Sequence, residues 1–170
     1  MHAPSAKPPI VLIVKDDLPV LELLVDLLEP EGYEILTAPS ARRALEITAT
    51  ERADIILCDV VMPGMNGLEL CQHLKADPKT CDIPIMLVSA VKKEDVARLE
   101  GFAAGADDYL EIPFRTEELL IKVARLIERR RAERALQKSE AEYRLLFKAN
   151  PCSMYVFDEE TLEFLAVNDA

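Results

Sequence analysis

The chain has 170 residues, half of them apolar, which is enough for one domain with its own core plus a remainder and excludes disorder throughout. A formal net charge of −11 and an isoelectric point near 4.7 oppose nucleic-acid binding, which demands Lys/Arg-rich faces, and point to protein partners. Residues 1–9 carry three prolines and no signal-peptide core, and Ile10–Val14 is far too short to span a bilayer. The expectation is a disordered tail over 1–9 and a soluble, cytoplasmic protein without membrane contact.

In chain order, Ile10–Val14, Tyr33–Thr37, Asp54–Cys58, Ile85–Val88 and Asp108–Leu110 read as strands. They alternate with helical rhythms at 18–29, 40–51, 66–76, 92–103 and from 115 onward. A βα unit repeated five times predicts an α/β protein with a parallel sheet and helices on both faces, joined by right-handed crossovers. Gly32 and Gly105 fall just after helical segments, where a left-handed residue commonly ends a helix. Pro84 precedes the fourth strand and Pro113 follows the fifth. Cys58, Cys71, Cys81 and Cys152 lack metal-ligand spacing and read as free thiols.

From Phe114 to Asn150 there is neither Gly nor Pro, and Pro113 and Pro151 flank the stretch, so one extended helix is predicted over 115–149. Leu119, Val123 and Leu126, then Ala132, Leu136, Tyr143 and Leu146 with Ser139, recur at spacings of three and four. The charged run Glu128–Arg134 breaks the heptad register between them, and a two-stranded coiled coil making a homodimer is the expected use of the flanking runs. Beyond it, Pro151–Asp158 and Leu162–Asn168 read as two short strands around a turn. A lone hairpin is marginal in water, so residues 150–170 are expected to belong to a longer parent protein.

The centre of the chain is Ile55-Ile56-Leu57-Cys58-Asp59, followed by a turn rich in Pro and Gly and then a new helical rhythm. An unbroken apolar run suits a strand buried on both faces, which places Asp59 at its carboxyl end, the edge where open parallel sheets bind ligands. Alone, such an Asp reads as a turn former. The string Asp59-Val60-Val61-Met62-Pro63-Gly64-Met65-Asn66-Gly67, however, closely resembles the phosphoacceptor loop of response-regulator receiver domains in two-component systems. The resemblance covers about Ile10 to Ile127 and implies a receiver domain over 10–129. It also implies a flavodoxin-like doubly wound (βα)5 sheet in the order 2-1-3-4-5, from which the long C-terminal helix read from the Gly- and Pro-free stretch continues. Ser139–Phe147 together with the terminal hairpin resembles the opening of a PAS sensor domain, truncated at residue 170.

The receiver resemblance implies chemistry as well. Asp16 and Asp17 follow the first strand, Asp59 the third and Ser89 the fourth. Clustered carboxylates repel unless a cation joins them, and oxygen ligands favour Mg²⁺. Asp16, Asp59 and the Val61 carbonyl would hold the metal, with Asp17 a further candidate. Asp59 would accept a phosphoryl group from a histidine kinase or phosphotransfer protein, Ser89 would turn its hydroxyl toward that group, and Tyr109 would be the aromatic switch. Taken singly, Ser89 reads as a helix cap and Tyr109 as core packing.

Two positions depart from the family pattern. Lys15 stands where the first of two adjacent acids is usual, and Ile112 stands where a lysine normally precedes Pro113. The pair Ile112-Pro113 would still carry the family's cis peptide bond. Exchanging an acid for Lys15 should weaken Mg²⁺, by up to about 3 kcal/mol for each unit-charge pair at roughly 5 Å. Lys15 is therefore read as a lesion at the metal site, with the alternative that its ammonium supplies the one lost at Ile112. These departures keep open a degenerate receiver that serves as a phosphorylation-independent interaction or dimerisation module. A third reading makes the chain the amino-terminal input of a hybrid sensor histidine kinase. The chain has no kinase domain of its own, and neither His2 nor His73 has a phosphodonor context.

Overall fold

The five apolar runs become five parallel strands: β1 Ile10–Val14, β2 Glu34–Ala38, β3 Ile55–Asp59, β4 Ile85–Ser89 and β5 Asp108–Glu111. Their order is β2-β1-β3-β4-β5, as the resemblance implied. This is a computed structural model, and it describes residues 7–90, 96–158, 161 and 164–168. The chain divides into two compact units, the first ending at Arg130 and the second beginning at Arg131.

In the first unit, period-two alternation divides the strand side chains between two cores. Ile10, Leu12 and Val14 join Ile56 and Cys58 on one face, covered by α2 (Ala41–Thr50) and α3 (Gly67–Ala76) through Ala41, Ala44, Leu70, Cys71 and Leu74. Val11, Ile13, Ile55 and Leu57 line the other, against Leu24 and Leu28 of α1 (Leu18–Leu28) and Leu119, Val123, Leu126 and Ile127 of α5 (Thr116–Ala149). A central strand covered on both faces has no solvent side, which is why β1, β3 and β4 are apolar along nearly their whole length.

Strand ends shift slightly from the sequence expectation, and one shift matters. β3 runs to Asp59 and β4 to Ser89, because the ladder continues: Asp59 pairs in register with Val88, and Ser89 with Glu111. Side-chain character marks the end of an apolar run, whereas backbone pairing marks the end of a strand. β2 likewise begins at Glu34 and ends at Ala38, and β5 extends to Glu111. Of the fourth helix, α4 (Val96–Ala103) is described, and the expected start at 92 lies outside the described residues. The expected tail over 1–9 is described only from residue 7. Gly32 and Gly105 have φ of 84° and 95°, so both chain reversals use the left-handed region expected of them. The Ile112-Pro113 bond is cis.

α5 is a single helix of 34 residues. At the end of the first unit its Arg130 is buried, donating from Nη1 to the Ala53 carbonyl and pairing through Nη2 with Asp82.

In the second unit, the rings of Tyr143 and Phe147 stack with centroids 6.0 Å apart. β6 (Tyr155–Phe157) and β7 (Phe164–Val167) pair antiparallel, as the two short strands were expected to. Buried Asn168 ties this hairpin to the helix end, donating to the Asn150 and Cys152 carbonyls and accepting from the Met154 N–H. Among the described residues, no helix is long and apolar enough to cross a membrane.

Candidate functional site

At the carboxyl edge of the sheet, β1 delivers Lys15, Asp16 and Asp17, β3 delivers Asp59, and β4 delivers Ser89. Asp59 is buried at the last position of β3. Its Oδ1 accepts the Val61 N–H at 3.1 Å, and its Oδ2 is ion-paired with the Lys15 Nζ. The Lys15 backbone is held beside the sheet by its N–H donating to the Ala38 carbonyl at 3.0 Å. Lys15 is buried as well, so this is an ion pair largely shielded from water.

The loop after Asp59 is fixed by close packing. Val60 and Met62 turn into the core, whereas Val61 is exposed. Gly64 has φ of 78°. Asn66 caps α3 reciprocally with Glu69: each side chain accepts from the other's backbone N–H, at 2.9 and 3.0 Å. Gly67 donates its N–H to the Val60 carbonyl, and a Cβ there would stand 2.0 Å from the Asp59 carbonyl oxygen. Glycine is therefore required where α3 meets the strand end that carries Asp59.

The other expected site residues fall into place unevenly. Ser89 is buried at the end of β4, and its carbonyl accepts the Ile112 N–H at 2.8 Å. Tyr109 is half-buried against the core on the α2/α3 face, and Ile112 is half-buried against the core on the α1/α5 face. Asp16 is exposed. The Asp17 carboxylate caps α1 by accepting the Val20 N–H at 3.1 Å, which commits it to the helix start. Burial, with Asp59 beside it, pushes the Cys58 thiol far above its ordinary value, and burial pushes Cys71 up to about 11. Neither thiol is available as a thiolate near neutral pH.

A divalent cation bound by Asp59 needs carboxylate oxygen that faces it, and Oδ2 faces an ammonium. Among the described residues, no group of three or more His, Cys, Asp or Glu side chains is arranged to hold a metal ion. The donor set in this arrangement does not fit Mg²⁺, which wants near-octahedral oxygen ligands.

Residues 11–124 match the response regulator receiver domain family. This chain belongs to that family. It is 38% identical over 119 residues to the phosphate regulon transcriptional regulatory protein PhoB of Pseudomonas aeruginosa, covering 70% of this chain and 52% of that one. It is 40% identical over 120 residues to the response regulator MprA of Mycolicibacterium vanbaalenii, covering 70% and 50%. The receiver thus spans about half the length of the curated relatives it matches. Among solved structures, the signal receiver domain of a signal transduction histidine kinase from Syntrophus aciditrophicus superposes with a TM-score of 0.66 at 32% identity, covering 71% of this chain and 90% of that one. Receiver domains in general bind Mg²⁺ at an acidic phosphorylation site and interact with histidine kinases or phosphotransfer proteins.

Sequence reasoning did not assign the Asn66/Glu69 capping pair, the close approach of Gly67, or the pairing of Lys15 with Asp59. An Asn followed three residues later by Glu ahead of an apolar rhythm is a legible helix-start signature. The other two depend on which atoms the fold brings together, and no local pattern announces them.

Proposed function

We propose that this receiver accepts a phosphoryl group at Asp59 in a two-component phosphorelay. The observation that carries the reading is Asp59 itself: the last residue of the central strand, at the ligand-binding edge, with its loop held by the Asn66 cap and by Gly67. The donor is a phosphohistidine on a histidine kinase or phosphotransfer protein. An Asp59 carboxylate oxygen forms the new bond to phosphorus as the phosphorus–nitrogen bond breaks, and the electron pair leaves with the imidazole. Positioning and charge neutralisation supply most of the catalysis, so few special residues suffice. Ser89 and Tyr109 act as the hydroxyl and aromatic partners that respond to the new group. Asp16, Asp59 and the Val61 carbonyl, with Asp17 beside them, are the set toward which Mg²⁺ would be drawn. Binding there is weak while the Lys15 ammonium holds Asp59.

The receiver proper spans 10–129, α5 carries the change onward over 115–149, and residues 150–170 form the start of a PAS-like module. Two copies pair in parallel through the second apolar run of α5, where Leu136, Tyr143 and Leu146 are exposed; the first run expected to take part, Leu119, Val123 and Leu126, is instead buried in the receiver's own core and is not free to pair.

Intact-mass measurement after treatment with a small phosphodonor tests the acceptor. One added phosphoryl group is expected on the wild type and none on Asp59→Asn. Equal labelling of both proteins removes Asp59 from the mechanism. The absence of labelling on either favours the second reading, a receiver-shaped interaction module. The Lys15–Asp59 pair and the packing of the half-buried Ile112 against the α1/α5 core support that alternative. The likeness to the receiver domain of a signal transduction histidine kinase from Syntrophus aciditrophicus supports a third, a hybrid-kinase input.

A further inference from the structure

A buried carboxylate needs its charge compensated, or ionisation costs more than the fold can supply. At Asp59 the compensation is already present. The side chains of Lys15 and Asp59 are only 10% and 8% exposed, the ammonium sits on Oδ2, and the Val61 N–H satisfies Oδ1. The strand end fixes the Lys15 backbone, through its bond to the Ala38 carbonyl, so the side chain leaves the sheet at the position from which it reaches Asp59. Asp17 is occupied at the start of α1 and cannot complete an oxygen cage without giving up its cap.

We propose that the Lys15 ammonium is the resident counter-cation of Asp59 and takes the place of a divalent ion, so that the site is charge-compensated and reacts without metal. The inference rests on Asp59 being the phosphoacceptor and names the group that neutralises it. When an Asp59 oxygen bonds to the phosphorus of phosphoramidate in its N-protonated (–NH3+) form, the phosphorus–nitrogen bond breaks and the nitrogen, already carrying three protons, leaves with the electron pair as ammonia. The Lys15 ammonium passes from the carboxylate to a phosphoryl oxygen, where its charge meets the charge that was transferred. The lesion reading of Lys15 predicts the opposite, a site that is slow because it is short of metal.

The experiment uses the full 170-residue chain, phosphoramidate as donor, intact mass as the measure of labelling, and Mn²⁺ titration followed by electron paramagnetic resonance. Wild type is expected to label at the same rate, within about twofold, in EDTA and in Mg²⁺. Lys15→Asp is expected to bind Mn²⁺ at least about tenfold more tightly than wild type and to label only with Mg²⁺. Lys15→Met is expected to gain Mn²⁺ affinity, because removing the ammonium frees Oδ2, whereas Lys15→Arg keeps the charge and stays independent of metal. Labelling of wild type that requires Mg²⁺, or Mn²⁺ affinity in wild type equal to that of Lys15→Asp and Lys15→Met, overturns the proposal. If wild type labels under neither condition, the phosphoacceptor reading fails by itself and the Mn²⁺ comparison still decides the role of Lys15. Thermal melts show whether each variant folds. Should Lys15→Asp and Lys15→Met both unfold, wild type and Lys15→Arg in EDTA against Mg²⁺ remain decisive.

Discussion

The two units of this chain bury their apolar residues to very different degrees. In the first, Leu12, Ile13, Leu57 and Met86 are fully enclosed by helices on both faces of the sheet. In the second, Leu136, Leu145 and Leu146 stand 62–71% exposed on a helix that continues without interruption from the first. One helix thus serves two purposes: its early turns complete a core, and its later turns present an apolar surface. The boundary falls at Arg130, the buried guanidinium that fastens the helix to the Ala53 carbonyl and to Asp82. A single copy satisfies the first unit, whereas the second leaves Leu136, Tyr143 and Leu146 exposed, and the proposed pairing of two copies rests on that difference.

That contrast is sharpest in a pair of substitutions. Leu57→Ala removes a side chain enclosed in the central strand and should cost about 2–5 kcal/mol in urea unfolding. Leu146→Ala should change the stability of the first unit by no more than about 0.5 kcal/mol, yet weaken dimerisation. Light scattering of the full chain should show a dimer, and truncation after Arg129 should leave a monomer. A monomer for the full chain at high micromolar concentration, or equal losses of stability in both variants, would break the distinction between the two halves of α5.

Gly67→Ala sharpens it from inside the first unit. The added Cβ meets backbone, at 2.0 Å from the Asp59 carbonyl oxygen, so no side-chain rotation relieves it. A loss of about 1–3 kcal/mol is expected, together with slower labelling as the strand end moves away from α3. Stability unchanged in denaturant would mean that α3 adjusts freely and that the loop is not fixed by close packing.

A smaller effect concerns the attachment of the early part of α5. Burial acts to raise the Asp108 carboxyl, but hydrogen bonds from Lys122 and the Tyr109 N–H, with the charges of Lys122 and Arg125, outweigh it and hold the carboxyl below its ordinary value. Lys122 lies at 2.7 Å and the more exposed Arg125 at 3.0 Å. Because the folded-state value is depressed, the stabilisation is complete above the unfolded carboxyl value near 3.9 and is lost as pH falls through the folded value. Asp108→Asn should therefore be less stable than wild type at about pH 7, and the gap should close on acidification below about pH 4. Urea midpoints that differ equally at both pH values would show that the ion pairs contribute nothing specific. Solvent screening of Arg125 keeps the whole effect modest.

By itself the sequence determined the alternation of five strands and five helices, the unbroken last helix, the hairpin after it and the position of Asp59 at a strand end. These are matters of period, run length and Pro/Gly punctuation, which act over a few residues. The strand order came from the family resemblance, since periodicity alone leaves several orders open. What only the tertiary structure decided were relations between residues far apart in the chain. Lys15 and Asp59 are separated by 44 positions and meet because β1 and β3 are neighbours with Val14 opposite Cys58. The sequence showed a lysine where an acid was expected, but whether its ammonium turns to water or to Asp59 depends on the enclosure that the neighbouring strands and the loop create. Ile112 likewise finds the α1/α5 core only once β5 lies beside β4. Local pattern fixes which elements form. The packing between elements fixes which charges meet, because a buried charge settles against whatever partner the fold brings within reach.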